Sequence, residues 1–346
     1  MSRFVGGRRG SGTPSRKESV PEAEADLVSV VSCGLPDILE ECKRKVPKVR
    51  VLVAHYSAKN WGGRHENEDR FMDHQDVIGS HGEPRLGFHT VGVLDGHDTE
   101  SASDTVSRLL PASLGKRLKA GQSIHDAYVE TMAEMEESLK KVHASAGTCV
   151  NSCLIAGRHV WCANLGDCRS ALILLEEPAV AGAGAKASRL TWMSRDHKAS
   201  MPYERKRILD LGGTVTDGRV EGLEPSRTLG DFDVKLSTKS GVISIIPEVR
   251  QFELCSNGDR RHAVLVCGTD GVWDVLGGQD ICDLIHARKD LGKLAVAKED
   301  EVVSKAGLQA LRDLAEDVVQ YAVAKGSRDD CTCVATMISV FPHHES

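Results

Sequence analysis

Nothing in this chain of 346 residues reads as a membrane anchor. No apolar run is long enough to span a bilayer, and no apolar signal region stands near the start. Met1-Ser2 lacks the glycine that N-myristoylation requires. Basic charge is not in excess either: the formal net charge of −6 removes the general electrostatic reason to expect nucleic acid or an anionic membrane as a partner. Paired CxxC spacing is missing, and the 11 cysteines are scattered. An odd number of thiols without a secretion signal is expected of a reduced, cytoplasmic or nuclear compartment. Cys331-Thr332-Cys333 is the one close pair, and the sequence supplies no partners for a zinc or redox role there. Cys153, Cys162 and Cys267 lie inside apolar runs, where a free cysteine acts as a small hydrophobe. No internal repeat is visible.

What remains is an ordinary globular composition, 40% hydrophobic and 27% charged, with enough length to bury a substantial core. Residues 1 to 20 are rich in Gly, Ser and Arg, with no acidic residue before Glu18, and read as a disordered arm. Asp37 can cap a short helix through Ile38, Leu39 and Cys42. We divide the chain into an extension, 1–45, and one globular domain, 46–346, whose first strand carries Val49, Val51 and Val53. Ser123 is positioned to cap a helix with Ile124, Tyr128, Met132, Met135, Leu139 and Val142 on one face. Strands are expected at 148–155, 159–165 and 170–175, and a late helix places Leu311, Leu314, Val318 and Tyr321 together before Gly326. Helices in blocks among meandering strands favour an antiparallel α+β domain over a doubly wound parallel sheet. The Gly- and Ala-rich run 181–188 lacks the Gly-Lys-Ser/Thr ending of a phosphate loop and reads as a surface loop.

Two apolar strand-like runs end in acid and glycine. The run 89–94 leads into Asp95-Gly96-His97, and the run 263–267 leads into Thr269-Asp270-Gly271-Val272-Trp273-Asp274. A carboxylate at the end of a buried strand is held rigidly, and a neighbouring glycine exposes its carbonyl. Hard divalent cations prefer such oxygen ligands. Two further acidic clusters suit the same site: Glu66-Asn67-Glu68-Asp69, and Asp329-Asp330 before a final strand. Each alone is weak, because Asp-Gly is most often a turn and a charged run is usually solvated.

Their order carries more weight. Arg64-x-x-x-Glu68-Asp69, Asp95-Gly96-His97, Ser145-Ala146-Gly147-Thr148, the run 163–169, Asp196-His197-Lys198, Ser226-Arg227-Thr228-Leu229-Gly230-Asp231, the run 270–274 and Gly326-Ser327-Arg328-Asp329-Asp330 follow one another. Together they resemble the metal-dependent serine/threonine protein phosphatases of type 2C, across roughly residues 50 to 340. That resemblance implies a four-layer α-β-β-α sandwich of two antiparallel sheets, and a binuclear Mn²⁺ or Mg²⁺ centre in a cleft at one end. It implies that Asp95 bridges the ions, that Glu68 and the Gly96 carbonyl hold one, and that Asp270 and Asp329 hold the other. Asp167 matches a weaker third-ion position, with Asp274 contributing from an outer shell, and Asp69 orients ligands from behind. The implied chemistry is in-line attack on phosphorus by metal-activated water without a covalent intermediate. Arg64 binds the phosphoryl oxygens, and His97 is the general acid. Phosphorylated proteins are the implied partners of what we read as a monomer.

The chain also departs from the family pattern. Asp98-Thr99-Glu100 follows His97 where small residues are common, Asp330 replaces a usual asparagine, Glu221 stands where asparagine is common, and Pro225 replaces a small apolar residue. An ionised Asp98 beside His97 is expected to favour the imidazolium. A flap is expected over roughly 196–222. The competing readings are a non-catalytic phosphoprotein-binding domain, which loss of the carboxylates would favour, and a two-metal nuclease or small-phosphoester hydrolase. No basic track supports a nuclease. No cysteine opens an arginine-closed phosphate loop, which disfavours a cysteine-dependent phosphatase.

Overall fold

The computed structural model describes residues 48–60, 65–78, 86–141, 145–176, 186–255, 261–296 and 303–341. The proposed extension, its boundary with the domain, and Arg64 therefore lie outside the described residues.

Among the described residues, eleven strands form two antiparallel sheets. The first sheet has the order β1 (Lys48–Ala58), β11 (Cys331–Phe341), β10 (Arg261–Gly268), β6 (Arg169–Glu176), β7 (Lys186–Trp192). The second has β2 (Arg70–Ile78), β3 (Leu86–His97), β4 (Gly147–Ala156), β5 (His159–Leu165), β9 (Glu248–Glu253), with the short β8 (Leu229–Gly230) paired to the start of β4. Strand alternation sorts side chains into three apolar layers. In β3, Val91 and Val93 face the other sheet, where Cys153, Leu265, Cys267, Val334 and Ile338 meet them. Phe88 and Leu94 face outward, against α1 (Ser101–Lys119) and α2 (Ile124–Lys140) through Val106, Leu110, Tyr128 and Met132. On the opposite face, Val264, Val266 and Met337 are covered by α6 (Gly278–Ala287) and α8 (Lys305–Ala324) through Ile281, Ile285, Leu311, Leu314 and Val318. This is the expected α-β-β-α sandwich.

The Ser123 cap forms as expected, its Oγ accepting the Asp126 N–H at 3.1 Å. The imperfect alternation of β1 also has a cause. Val49, Val51 and Val53 pack between the sheets while Leu52, Ala54 and Tyr56 pack under the outer helices, so both faces are apolar. Tyr321 is a correction: it is exposed, and Ala315, Val319 and Ala322 complete the buried face of α8. Residues 186–188 of the glycine-rich run belong to β7, and the remainder lies outside the described residues. Helix α1 has no counterpart in the sequence reading, because Pro111 and Gly115 interrupt an otherwise clear i, i+4 series of Val106, Leu110, Leu114 and Leu118.

The expected flap is a small lobe with its own core. Helix α3 (Pro202–Asp210) starts with proline in its first turn. Ala199, Ile208, Val220, Val242 and Ile243 are buried together within the lobe. Glu204, 1% exposed, clamps it by accepting from Arg227, Arg207 and Ser226. No helix among the described residues is long and apolar enough to cross a membrane.

Candidate metal centre

Antiparallel pairing brings the acidic motifs to one end of the sandwich. The end of β3 lies beside the start of β2, with Arg70 opposite Leu94, so Glu68 and Asp69 approach Asp95. The end of β10 lies beside the start of β11, with Gly268 opposite Cys333, which brings Asp270 towards Asp329. Asp270 opens the short helix α5 (Asp270–Trp273), and Asp167 follows β5. One carboxylate oxygen from each of Asp95, Asp167 and Asp270 falls within 4.8 Å of the other two. Among the described residues this group does not extend to Glu68, Asp69, Asp274 or Asp329. The tight triad therefore includes Asp167, which the resemblance assigned to an accessory position, and leaves Glu68 and Asp329 at its margin.

Electrostatics mark the triad as a place for positive charge. Burial, followed by the charges of Asp270, Asp69 and Asp167, pushes the Asp95 carboxyl well above the usual carboxylate range. Burial and the charges of Asp167 and Asp329 do the same to Asp270. Asp167 is raised by burial, against which Lys198 acts. Glu68 and Asp329 are also raised, each chiefly by burial. Mutually repelling carboxylates in a low-dielectric setting either hold protons or gather a cation. An all-oxygen donor set of this kind suits Mg²⁺ or Mn²⁺.

The residues behind the triad are specific. Gly96 lies where a Cβ would fall 2.5 Å from the Glu68 carbonyl oxygen and 2.7 Å from Ser103 Oγ, so only glycine permits this approach of β3 to the Glu68 segment. Asp69, 5% exposed, accepts from Thr269 Oγ1 at 2.9 Å, next to Asp270. Burial pushes its carboxyl to about 7 against the hydrogen bonds of Thr332 and Thr269. Asp330 receives the N–H of Asn60 at 2.9 Å and of Glu68 at 3.0 Å, one on each carboxylate oxygen. In this chain the departure from asparagine thus ties the Glu68 segment to β11.

His97 ends β3 beside the triad. Its Nε2 lies 2.6 Å from Asp231 Oδ1, and Asp231 Oδ2 accepts from Thr228 Oγ1 at 2.5 Å. Burial alone would lower the histidine's pKa; the hydrogen bond and charge of Asp231 outweigh it, and the net shift is upward. Asp98 instead accepts from Ser145 Oγ at 2.6 Å. The expected charge partner at position 98 is thus replaced by one 134 residues away. Sequence reasoning missed Asp231, whose only signal was its place closing the run 226–231. It also assigned no role to Lys198, which sits 3.1 Å from Asp274 and 3.8 Å from Asp167. None of the described cysteines forms a disulfide and, except Cys282, all are buried. Burial pushes the Cys149 thiol, 3.3 Å from Asp167 Oδ1, well above its ordinary value. That is unsuited to a nucleophile.

The family model for Protein phosphatase 2C matches residues 54–331. The chain is 27% identical over 289 residues to "Probable protein phosphatase 2C 27" of Oryza sativa subsp. japonica, covering 79% of this chain and 72% of that protein. It is 29% identical over 218 residues to "Protein phosphatase 1A" of Homo sapiens, covering 61% of this chain and spanning about half (49%) of that protein's length. Among solved structures, the serine-threonine phosphatase 2C from Toxoplasma gondii superimposes with a TM-score of 0.55 at 19% identity, covering 86% of this chain and 97% of that one. A C. elegans sex determining protein gives a TM-score of 0.58 at 20% identity, over 84% and 64% of the two chains. These two likenesses speak for the fold. With the family match spanning most of the chain and the carboxylate triad at the sandwich end, this protein belongs to the Protein phosphatase 2C family of metal-dependent protein serine/threonine phosphatases.

Proposed function

We propose that the chain hydrolyses phosphoserine and phosphothreonine in proteins of a cytoplasmic or nuclear compartment, using a binuclear Mn²⁺ or Mg²⁺ centre. The observation that carries this reading is the triad of Asp95, Asp167 and Asp270. Asp95 and Asp270 would hold ions directly, with Asp167, Glu68, the Gly96 carbonyl and Asp329 completing the oxygen set and Asp274 acting from outside it. Divalent ions bound there supply the Lewis acidity that makes water a nucleophile near neutral pH and that offsets phosphoryl charge. Asp69 and Thr269 fix the orientation of the Asp270 turn, as partners behind a metal ligand do. His97 carries the proton for the leaving serine or threonine oxygen, and Asp231 holds its ring in place and favours the charged form. Arg64 is proposed to grip the phosphoryl oxygens as a bidentate donor.

The test is turnover of a phosphothreonine peptide with Mn²⁺, alongside metal-free and single-stranded DNA controls. Asp95→Ala and Asp270→Asn are expected to abolish turnover while far-UV circular dichroism stays native. EDTA is expected to abolish wild-type activity reversibly. Wild-type turnover in either folded variant would overturn the assignment, and cleavage of DNA would favour the nuclease reading.

A further inference from the structure

Lys198 is an unusual neighbour for a group of metal-seeking carboxylates. Its side chain is only 10% exposed, and its ammonium contacts three acids: Glu224 at 3.0 Å, Asp274 at 3.1 Å and Asp167 at 3.8 Å. Its backbone is fixed on both sides. The His197 N–H donates to the Gly166 carbonyl at 2.9 Å, the Ala199 N–H donates to the Glu224 carbonyl at 2.9 Å, and Lys198 pairs with Pro225. The backbone that carries Lys198 is therefore fixed, and Glu224 and Asp274 hold the ammonium with Asp167 just beyond them.

Asp167 belongs at once to this ammonium and to the triad with Asp95 and Asp270. A lysine ammonium is cationic throughout the neutral range, and three acids surround this one. A carboxylate shared with a fixed positive charge is a poorer ligand, and a divalent ion approaching the same oxygens meets repulsion. We propose that Lys198 is a built-in monocation of the candidate centre, competing with divalent ions for Asp167 and Asp274. This rests on the metal reading given above and extends it: the chain sets the affinity of its weakest ion with a residue that ligates none.

The experiment titrates purified full-length protein with Mn²⁺ and counts free ion by electron paramagnetic resonance, with no substrate present. Wild type is compared with Lys198→Met, Lys198→Gln and Lys198→Arg, each checked by circular dichroism. If the methionine variant does not fold, the glutamine variant, which keeps a polar head towards Glu224 and Asp274, carries the comparison. The neutral variants are expected to bind their weakest Mn²⁺ about tenfold tighter than wild type, or to gain one bound ion, once a like charge a few Å away is gone. Lys198→Arg should titrate like wild type. Neutral variants that match wild type within about twofold, or bind more weakly, overturn the proposal and leave the metal centre standing. A wild-type protein that retains no Mn²⁺ overturns the metal reading, and the proposal with it.

Discussion

His97 and Asp231 face each other at 2.6 Å, Nε2 to Oδ1, although 134 residues separate them in the chain. The histidine ring is partly open, at 30% side-chain exposure, while the aspartate is 2% exposed and already takes a second hydrogen bond from Thr228. A buried, doubly held carboxylate aims the imidazole and stabilises its charge.

That pairing fixes the sign of a pH effect. Because the His97 pKa is raised, the acid form persists to higher pH, and the alkaline limb of the pH–rate profile lies above that of an isolated histidine. Asp231→Asn should move this limb to lower pH at constant Mn²⁺, whereas Asp98→Gly should leave it in place, since Asp98 turns to Ser145. Profiles on a substrate with a poor leaving group measure both, with His97→Gln identifying the limb. A shift in Asp98→Gly alone would contradict the assignment.

Gly147 gives an independent approach to the same pair. A Cβ there would fall 2.3 Å from both Asp231 Oδ2 and His97 Nε2, so the two side chains cannot stay where they are. Gly147→Ala should lower kcat by about tenfold or more, since a misplaced proton donor forfeits much of a general-acid contribution. Mn²⁺ affinity should hardly change. Steady-state kinetics and metal titration on one preparation separate the two effects.

Acid stability follows from Glu204. Burial would raise its pKa, but the hydrogen bonds of Arg227, Arg207 and Ser226 hold it at about 2. A depressed carboxylate contributes stability that is fully present above its unfolded value of 4.5 and lost as pH falls through about 2. Glu204→Gln should cost about 3 kcal/mol at neutral pH and flatten this part of the acid limb. Urea denaturation at several pH values reads both quantities.

Glu221 is a residue the lobe tolerates rather than prefers. It sits at φ 50° and Gly222 at φ 91°, in a tight turn where Val220 and Leu223 exchange backbone hydrogen bonds. Left-handed backbone at both central positions favours Asn-Gly. Glu221→Asn should raise stability by about 0.5–1 kcal/mol, measured as a higher thermal midpoint with unchanged turnover.

The sequence made the strand ends legible because each combined an apolar run with an acid and a glycine, a local pattern. Asp95 and Asp270 were found this way, and antiparallel register then brought them together as the sandwich requires. The partnerships between distant residues were not legible. Nothing near position 97 signals Asp231, and the adjacent Asp98 was the natural but mistaken candidate. The membership of the triad depends on how the turn after β5 is set, so the grouping of Asp167 with Asp95 and Asp270 is a tertiary fact that no local pattern carries. Helix α1 escaped because Pro111 and Gly115 weaken a pattern that tertiary packing nevertheless sustains.

Strand β11 lies inside its sheet, between β1 and β10, and pairs Lys48 with Phe341. Two strands that flank it are made long before it, so a growing polypeptide carries β1 and β10 with an empty lane between them. The first sheet cannot close, nor can Asp330 fasten the Glu68 segment, until residues 330–341 leave the ribosome. Pairing across so long a separation is slow and leaves apolar strand faces open meanwhile. The consequence concerns biosynthesis: messages truncated before codon 331 should yield no partially active phosphatase, only chains for chaperones and proteases to clear.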